Sequence, residues 1–292
     1  MAWFQSTEQL KGSDVLSSKD SFLARIETKI PLTNPTDQAT LRTLLTAEAS
    51  LNPDGFDKPI DLGLSDTDLT DLSKISADDA KRALMIWMNS PSNPTGALDD
   101  MEAVVNWGRA NDVPVFSDEC YVEFTWQGKP TTALQYGTQG VIALHSLSKR
   151  SNLAGLRVAF YAGDADIVHY LKEVRKHVGM MVPGPAQAAG VVALNDDDSV
   201  KAQADIYRRR LERTATVLSK WSGRNIELPA GGFYLWFDAT DGWEFAERLA
   251  TEGGALVSPG DFYGAGGSNN VRVAVVQPDA RIELMAQRLG VA

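Results

Sequence analysis

Cysteine is nearly missing: Cys120 is the only one in 292 residues, which excludes an internal disulfide. Histidine is almost as scarce, with three, so the chain lacks the ligand cluster of a zinc site and no metal is expected. No apolar run approaches the roughly 20 residues that a membrane-spanning helix needs, and the N-terminus lacks a signal-peptide core. Positive charge is also in deficit, with 28 Lys and Arg against 38 Asp and Glu and a formal net charge of −10. That balance argues against non-specific binding to nucleic acid or an anionic membrane, and leaves room for a basic pocket inside an acidic exterior. A reducing, cytoplasmic setting is the expectation. The apolar fraction of 43% suits a globular protein, long enough for a large core and two domains.

Residues 1–80 carry few signals. The pattern predicts a helix over 37–50, with Leu41, Leu44 and Leu45 on one face and Thr36 or Asp37 as its cap. A turn follows at Asn52-Pro53-Asp54-Gly55, and 61–74 reads as a polar loop with a short helix. From residue 82 the pattern sharpens. The run 83–88 is continuously apolar, as in a strand covered on both faces, and it stops at Asn89-Ser90-Pro91-Ser92-Asn93-Pro94-Thr95-Gly96. A helix is expected over 98–111, with Met101, Val104, Val105 and Trp107 facing inward. Strands are expected at 113–116, ahead of Ser117-Asp118-Glu119-Cys120-Tyr121, and at 141–144.

Strand, crossover and strand at this spacing predict parallel pairing with right-handed connections. The carboxyl ends of three strands would then present Asn93, Asp118 with Tyr121, and Ser146 with Lys149. In an open α/β sheet that edge is where ligands bind. A fourth strand is expected at 158–163, a helix at 166–176, and another starting with Pro185 in its first turn. A long helical pattern reaches about residue 221, broken at Asn195-Asp196-Asp197-Asp198, an acidic run that reads as a solvated helix start rather than a metal site. Beyond it the pattern turns to mixed α+β: strands at 233–237 and 271–276, helices at 243–251 and 278–289. The expected organisation is an atypical segment 1–83, a large domain 84–190 and a smaller domain 191–292.

A lysine held among hydroxyls at a strand end can form a Schiff base with an aldehyde cofactor once desolvation or a nearby cation, such as Arg157, lowers its pKa. Pyridoxal phosphate asks for a carboxylate at its ring nitrogen, donors at its phenolic oxygen, and hydroxyls with an arginine at its phosphate. Asp118, then Asn93 with Tyr121, then Ser146, Ser148 and Arg157 would fill those places.

At these residues the chain resembles the fold-type I, class I/II pyridoxal-phosphate aminotransferases. Asn93-Pro94-Thr95-Gly96, Ser117-Asp118-Glu119-Cys120-Tyr121 and Ser146-Leu147-Ser148-Lys149 with Arg157 carry the resemblance in their order and rough spacing. It implies an α/β fold with a mostly parallel sheet in the large domain and a smaller α+β domain after it. It also implies that Lys149 is the catalytic Schiff-base lysine and Asp118 the ring-nitrogen partner. Asn93 and Tyr121 would bond the phenolic oxygen, Ser146, Ser148 and Arg157 would surround the phosphate, and Arg272 would clamp the substrate carboxylate. The segments 89–96, 175–183, 231–236 and 258–264 are similar to the actinobacterial succinyldiaminopimelate aminotransferases. Those enzymes exchange an amino group between N-succinyl-diaminopimelate and 2-oxoglutarate in lysine biosynthesis, and the family is usually dimeric. The family also has a longer segment ahead of its Asn-Pro-Thr-Gly motif, which residues 1–83 do not match, so the large domain is expected to be incomplete relative to the family. Three alternatives remain at this stage: a β-lyase or decarboxylase on the same fold, a defective homologue, and a regulator that uses the fold as a sensor.

Overall fold

The structure is a computed structural model and describes residues 70–292. The helix expected over 37–50, the turn at 52–55 and the start of the 61–74 loop lie outside the described residues. The first α-helix among the described residues, α1 (Ala77–Arg82), opens where the Ser76 hydroxyl accepts the Asp79 N–H at 3.1 Å and donates to the Asp79 carboxylate at 2.6 Å. The hydroxyl thereby satisfies one N–H that the helix end leaves open, and the carboxylate holds the hydroxyl in place.

β1 (Ile86–Asn89) leads through the Pro-rich loop to α2 (Met101–Ala110) and back to β2 (Val115–Asp118). The α2 helix starts later than expected because Asp100 caps it, its carboxylate accepting the Ala103 N–H at 2.9 Å. β3 (Val141–Ser146) runs into a single helical turn, α3 (Leu147–Arg150), and β4 (Ala159–Gly163) follows. The sheet order is β1-β2-β3-β4, with the first three strands parallel, as the crossovers predict, and β4 antiparallel to β3. Asn89 pairs with Asp118 and Asp118 with Leu144, so three strands end at one edge. Because β4 runs the other way, Ser146 pairs with Ala159, and Arg157 enters from that same edge.

One core lies between the sheet and α2: Ile86, Met88, Val115 and Val141 meet Met101, Val104 and Val105. Among the described residues only one face of β1 is fully covered. Alternation turns Ile86 and Met88 inward and Trp87 outward, where it is 39% exposed beside Phe116 at 6.1 Å between ring centroids. A run of six apolar residues looks the same whether its outer face is covered or not.

Gly163 closes β4 at φ +148, and a Cβ there would stand 1.9 Å from the Val141 carbonyl oxygen. Gly163→Ala is expected to cost about 2–4 kcal/mol through strain and overpacking. Urea unfolding measures it, and an unchanged midpoint would refute the strain.

The helices α4 (Ala165–His177), α5 (Gly184–Leu194) and α6 (Asp197–Ser222) follow. Asp196 caps α6 by accepting the Ser199 N–H at 3.1 Å, and Gly223 at φ +73 ends it in the left-handed conformation. Hydrogen bonds from Ser199 hold the Asp196 carboxyl below the usual range. The acidic run is a solvated helix start. Among the described residues no group of three or more His, Cys, Asp or Glu is placed to hold a metal ion, and no helix is long and apolar enough to cross a membrane.

β5 (Tyr234–Asp238), α7 (Gly242–Arg248), β6 (Ser258–Pro259), β7 (Asn270–Ala274) and α8 (Asp279–Arg288) complete the chain. Their antiparallel sheet has the order β5-β7-β6. A second core joins Leu235, Val271, Leu249, Ile282 and Leu218, and it also takes in Tyr121 and Phe124 from the segment after β2.

Candidate active site

Asp118, the last residue of β2, is 3% exposed, and its carboxylate accepts the Cys120 N–H at 3.1 Å. No lysine or arginine forms an ion pair with it among the described residues. Asn89 joins the neighbouring strand ends: its side-chain oxygen accepts the Asn93 N–H at 2.8 Å, while its amide donates to the Asp118 carbonyl at 2.9 Å. The loop between them is held by the C-terminal part, since a Cβ on Gly96, at φ +74, would meet the Gly231 carbonyl at 2.4 Å.

Tyr121 is 2% exposed, its hydroxyl 2.9 Å from that of Tyr234. Burial pushes both phenols up from their ordinary pKa, so both are neutral near pH 7. Burial raises the Cys120 thiol in the same way, reinforced by the Asp118 charge, which keeps it protonated and inert.

Lys149 is half-buried, with Nζ 5.9 Å from the Tyr121 ring centroid. Its helical turn is fixed at three points. Ser146 caps it by accepting the Ser148 N–H at 3.2 Å, which leaves the hydroxyl proton free to donate outward. Leu147 is fully buried beneath it. Arg150 binds the Ala193 carbonyl at 2.7 Å, Glu123 at 3.1 Å and the Asp197 carboxylate, which ties Lys149 to the α5–α6 junction.

Arg272 sits on β7 with its neighbours Val271 and Val273 buried on the opposite face, so its side chain leaves the small core. It does not enter open solvent. Its guanidinium lies 4.3 Å from the Tyr234 ring centroid and 4.7 Å from that of Tyr263, and Nη1 donates to the Asn93 side-chain oxygen at 2.7 Å. Its Nε is buried without a hydrogen-bond partner.

Asn93, Tyr121, Lys149 and Arg272 therefore come together through Tyr234, with Asp118, Ser146 and Ser148 at the same sheet edge. Arg157 stays exposed at that edge, in a left-handed conformation at φ 55, donating to the Ala154 carbonyl at 2.9 Å. Sequence reasoning missed Asn89, Tyr234, Tyr263 and Arg150. Tyr234 lay in an aromatic run read as a strand and as part of the resemblance, with no role for its hydroxyl, and Arg150 looked like an ordinary charge beside Lys149.

A model of the family described as aminotransferase class I and II matches residues 64–289. The chain belongs to this family. The class I and II aminotransferase chain is 42% identical over 218 residues to 4-dedimethylamino-4-oxo-anhydrotetracycline transaminase OxyQ of Streptomyces rimosus, an alignment covering 70% of this chain and 59% of that protein. It is 36% identical over 231 residues to the LL-diaminopimelate aminotransferase of Aquifex aeolicus, covering 76% of this chain and 59% of the relative. Among solved structures, an aminotransferase from Staphylococcus aureus superposes with a TM-score of 0.71 at 29% identity, covering 80% of this chain and 64% of that one. The chain thus spans between half and two thirds of the length of these relatives. The fold is that of the type I pyridoxal-phosphate enzymes.

The family's cofactor is pyridoxal phosphate, and the donor set fits it. Asp118 is a buried carboxylate lacking a cationic partner, which the protonated ring nitrogen would supply. The orphaned Arg272 Nε is a donor awaiting an acceptor such as a carboxylate.

Proposed function

We propose that the protein is a pyridoxal-phosphate-dependent aminotransferase exchanging an amino group between N-succinyl-LL-diaminopimelate and 2-oxoglutarate in lysine biosynthesis, in the cytoplasm. The observation that carries the reaction class is the convergence of Lys149, Tyr121 and Arg272, from three distant stretches, beside the buried Asp118. When bound, the cofactor takes up the electron pair that remains when a proton leaves the substrate's α-carbon.

The chain's residues divide the rest of the work. Asp118 would favour a protonated ring nitrogen by offering a buried carboxylate. Asn93 and Tyr121 would hold the phenolic oxygen, and Ser146, Ser148 and Arg157 would hold the phosphate. Arg272 grips the α-carboxylate with its bidentate fork, held in orientation by Asn93 and the two tyrosine rings. Lys149 Nζ, anchored by the Ser146 cap and Arg150, moves the proton at the α-carbon.

The diaminopimelate substrate is supported by the relatives named for LL-diaminopimelate and by the sequence similarity in 175–183 and 258–264. A homodimer is part of the proposal. The α5 helix is almost wholly apolar, yet Val191 and Val192 are 61% and 71% exposed, and Phe160 on β4 is also uncovered.

The test incubates the full chain and cofactor with 2-oxoglutarate and a panel of amino donors, measuring glutamate, pyruvate and carbon dioxide. Glutamate formation fastest with the N-succinyl donor is expected. Pyruvate or carbon dioxide without an oxo-acid acceptor would replace transamination by a lyase or decarboxylase. Preference for another donor would overturn the substrate alone. Sedimentation of the same preparation at monomer mass would overturn the dimer.

A further inference from the structure

Two phenols that share one contact carry two protons and need only one between them. One hydroxyl donates to the other, and the proton of the accepting hydroxyl is free to point elsewhere. Tyr121 and Tyr234 form such a pair at 2.9 Å, buried from water at 2% and 6% exposure.

What surrounds each ring decides the direction. The Arg272 guanidinium lies 4.3 Å from the Tyr234 centroid, whereas the cation nearest Tyr121, Lys149 Nζ, stands 5.9 Å away. A cation over an aromatic face draws on the ring's electrons and makes its hydroxyl the better donor. The titratable groups facing the pair are Arg272 and Tyr263 from the C-terminal sheet region, Cys120 beside Tyr121, Lys149 from α3 and Tyr207 from α6. Burial keeps the two phenols protonated, so their own ionisation plays no part near pH 7.

We propose that Tyr234 is a positioning residue that donates to Tyr121, turns the Tyr121 proton toward the cofactor's phenolic oxygen, and links that bond to occupancy of Arg272. The link follows from charge. A carboxylate on Arg272 offsets the cation over the Tyr234 ring, Tyr234 becomes the weaker donor, and the Tyr121 bond weakens with it. Substrate binding at one end of the site is thereby felt at the other through two hydroxyls and one ring, beside the link that Asn93 makes from Arg272. This inference rests on the aminotransferase reading.

The experiment titrates the visible absorption of the cofactor-loaded full chain with pH, with and without succinate as an unreactive dicarboxylate. Weakening the bond to the phenolic oxygen favours the protonated form of the chromophore. Tyr234→Phe is therefore expected to move the midpoint upward by about 0.4–1 pH unit, the scale of one hydrogen bond. Tyr121→Phe should move it further in the same direction. Succinate should raise the wild-type midpoint, and each variant should lose half or more of that response. A Tyr234→Phe midpoint equal to wild type overturns the proposal. So does a full succinate response in Tyr121→Phe, which decides the matter even if Tyr234→Phe does not fold. A wild-type chain with no cofactor band at any pH would instead overturn the aminotransferase reading.

Discussion

Lys149→Ala is expected to lower amino transfer by about 10⁴-fold or more, because on the proposed reading the variant loses both the covalent anchor and the proton carrier. The adjacent cation cannot take over. Arg150 is adjacent in sequence, but its guanidinium is occupied by Glu123, Asp197 and the Ala193 carbonyl. A guanidinium is also too weak a base to take a proton from carbon. Borohydride reduction followed by peptide mass analysis provides the second measurement. The cofactor mass should appear on the peptide holding Lys149 in the wild type and nowhere in the variant. A variant that retains transfer within tenfold of wild type would remove Lys149 from the chemistry.

Asp118→Asn should separate activity from stability. Asparagine keeps an oxygen for the Cys120 N–H and nearly the same shape, so the fold has little to lose. It removes a negative charge that is 3% exposed and lacks a cationic partner among the described residues. Holding such a charge in the empty protein is costly, so the cofactor-free variant is expected to melt at or above the wild-type temperature. With cofactor, kcat is expected to fall by about 10³-fold, the scale seen when one preorganised electrostatic partner is removed. Thermal melts of the empty chain and steady-state kinetics of the loaded chain give the two readings. A kcat within tenfold of wild type would place the ring-nitrogen partner elsewhere.

The sequence made the sheet edge legible because each strand there is a short apolar run that ends abruptly in polar residues. Asp118, Lys149 and their neighbours fall at those endings, and parallel crossovers bring the endings together. The antiparallel direction of β4 was not legible, since an apolar strand of five residues reads alike in either direction. Nor was β6, which is two residues long and contains a proline. Arg272 could be assigned only through resemblance, because its partner Asn93 lies 179 residues away. Tyr234 was beyond reach for a related reason. In Phe233-Tyr234-Leu235-Trp236-Phe237 all five residues suit a strand, and nothing local marks one hydroxyl as facing another.

The segment after β2 belongs to both halves of the chain. Thr125 bridges to Gly231, Trp126 donates its indole N–H to the Gly232 carbonyl at 2.6 Å, and Gly232 donates to the Phe124 carbonyl at 2.8 Å. Phe124 meets Tyr207 and Phe233 edge-on, at 5.3 Å and 5.5 Å between centroids. Recombination between relatives at a breakpoint near residue 190 would therefore separate partners that are shaped to each other. A chimera inheriting its N-terminal portion from one parent and its C-terminal portion from another must match those aromatic shapes before Lys149 can meet Arg272. Residues 121–126 and 230–234 are thus a single unit of inheritance, although β3, β4 and the helices α3 to α6 all lie between them in the chain.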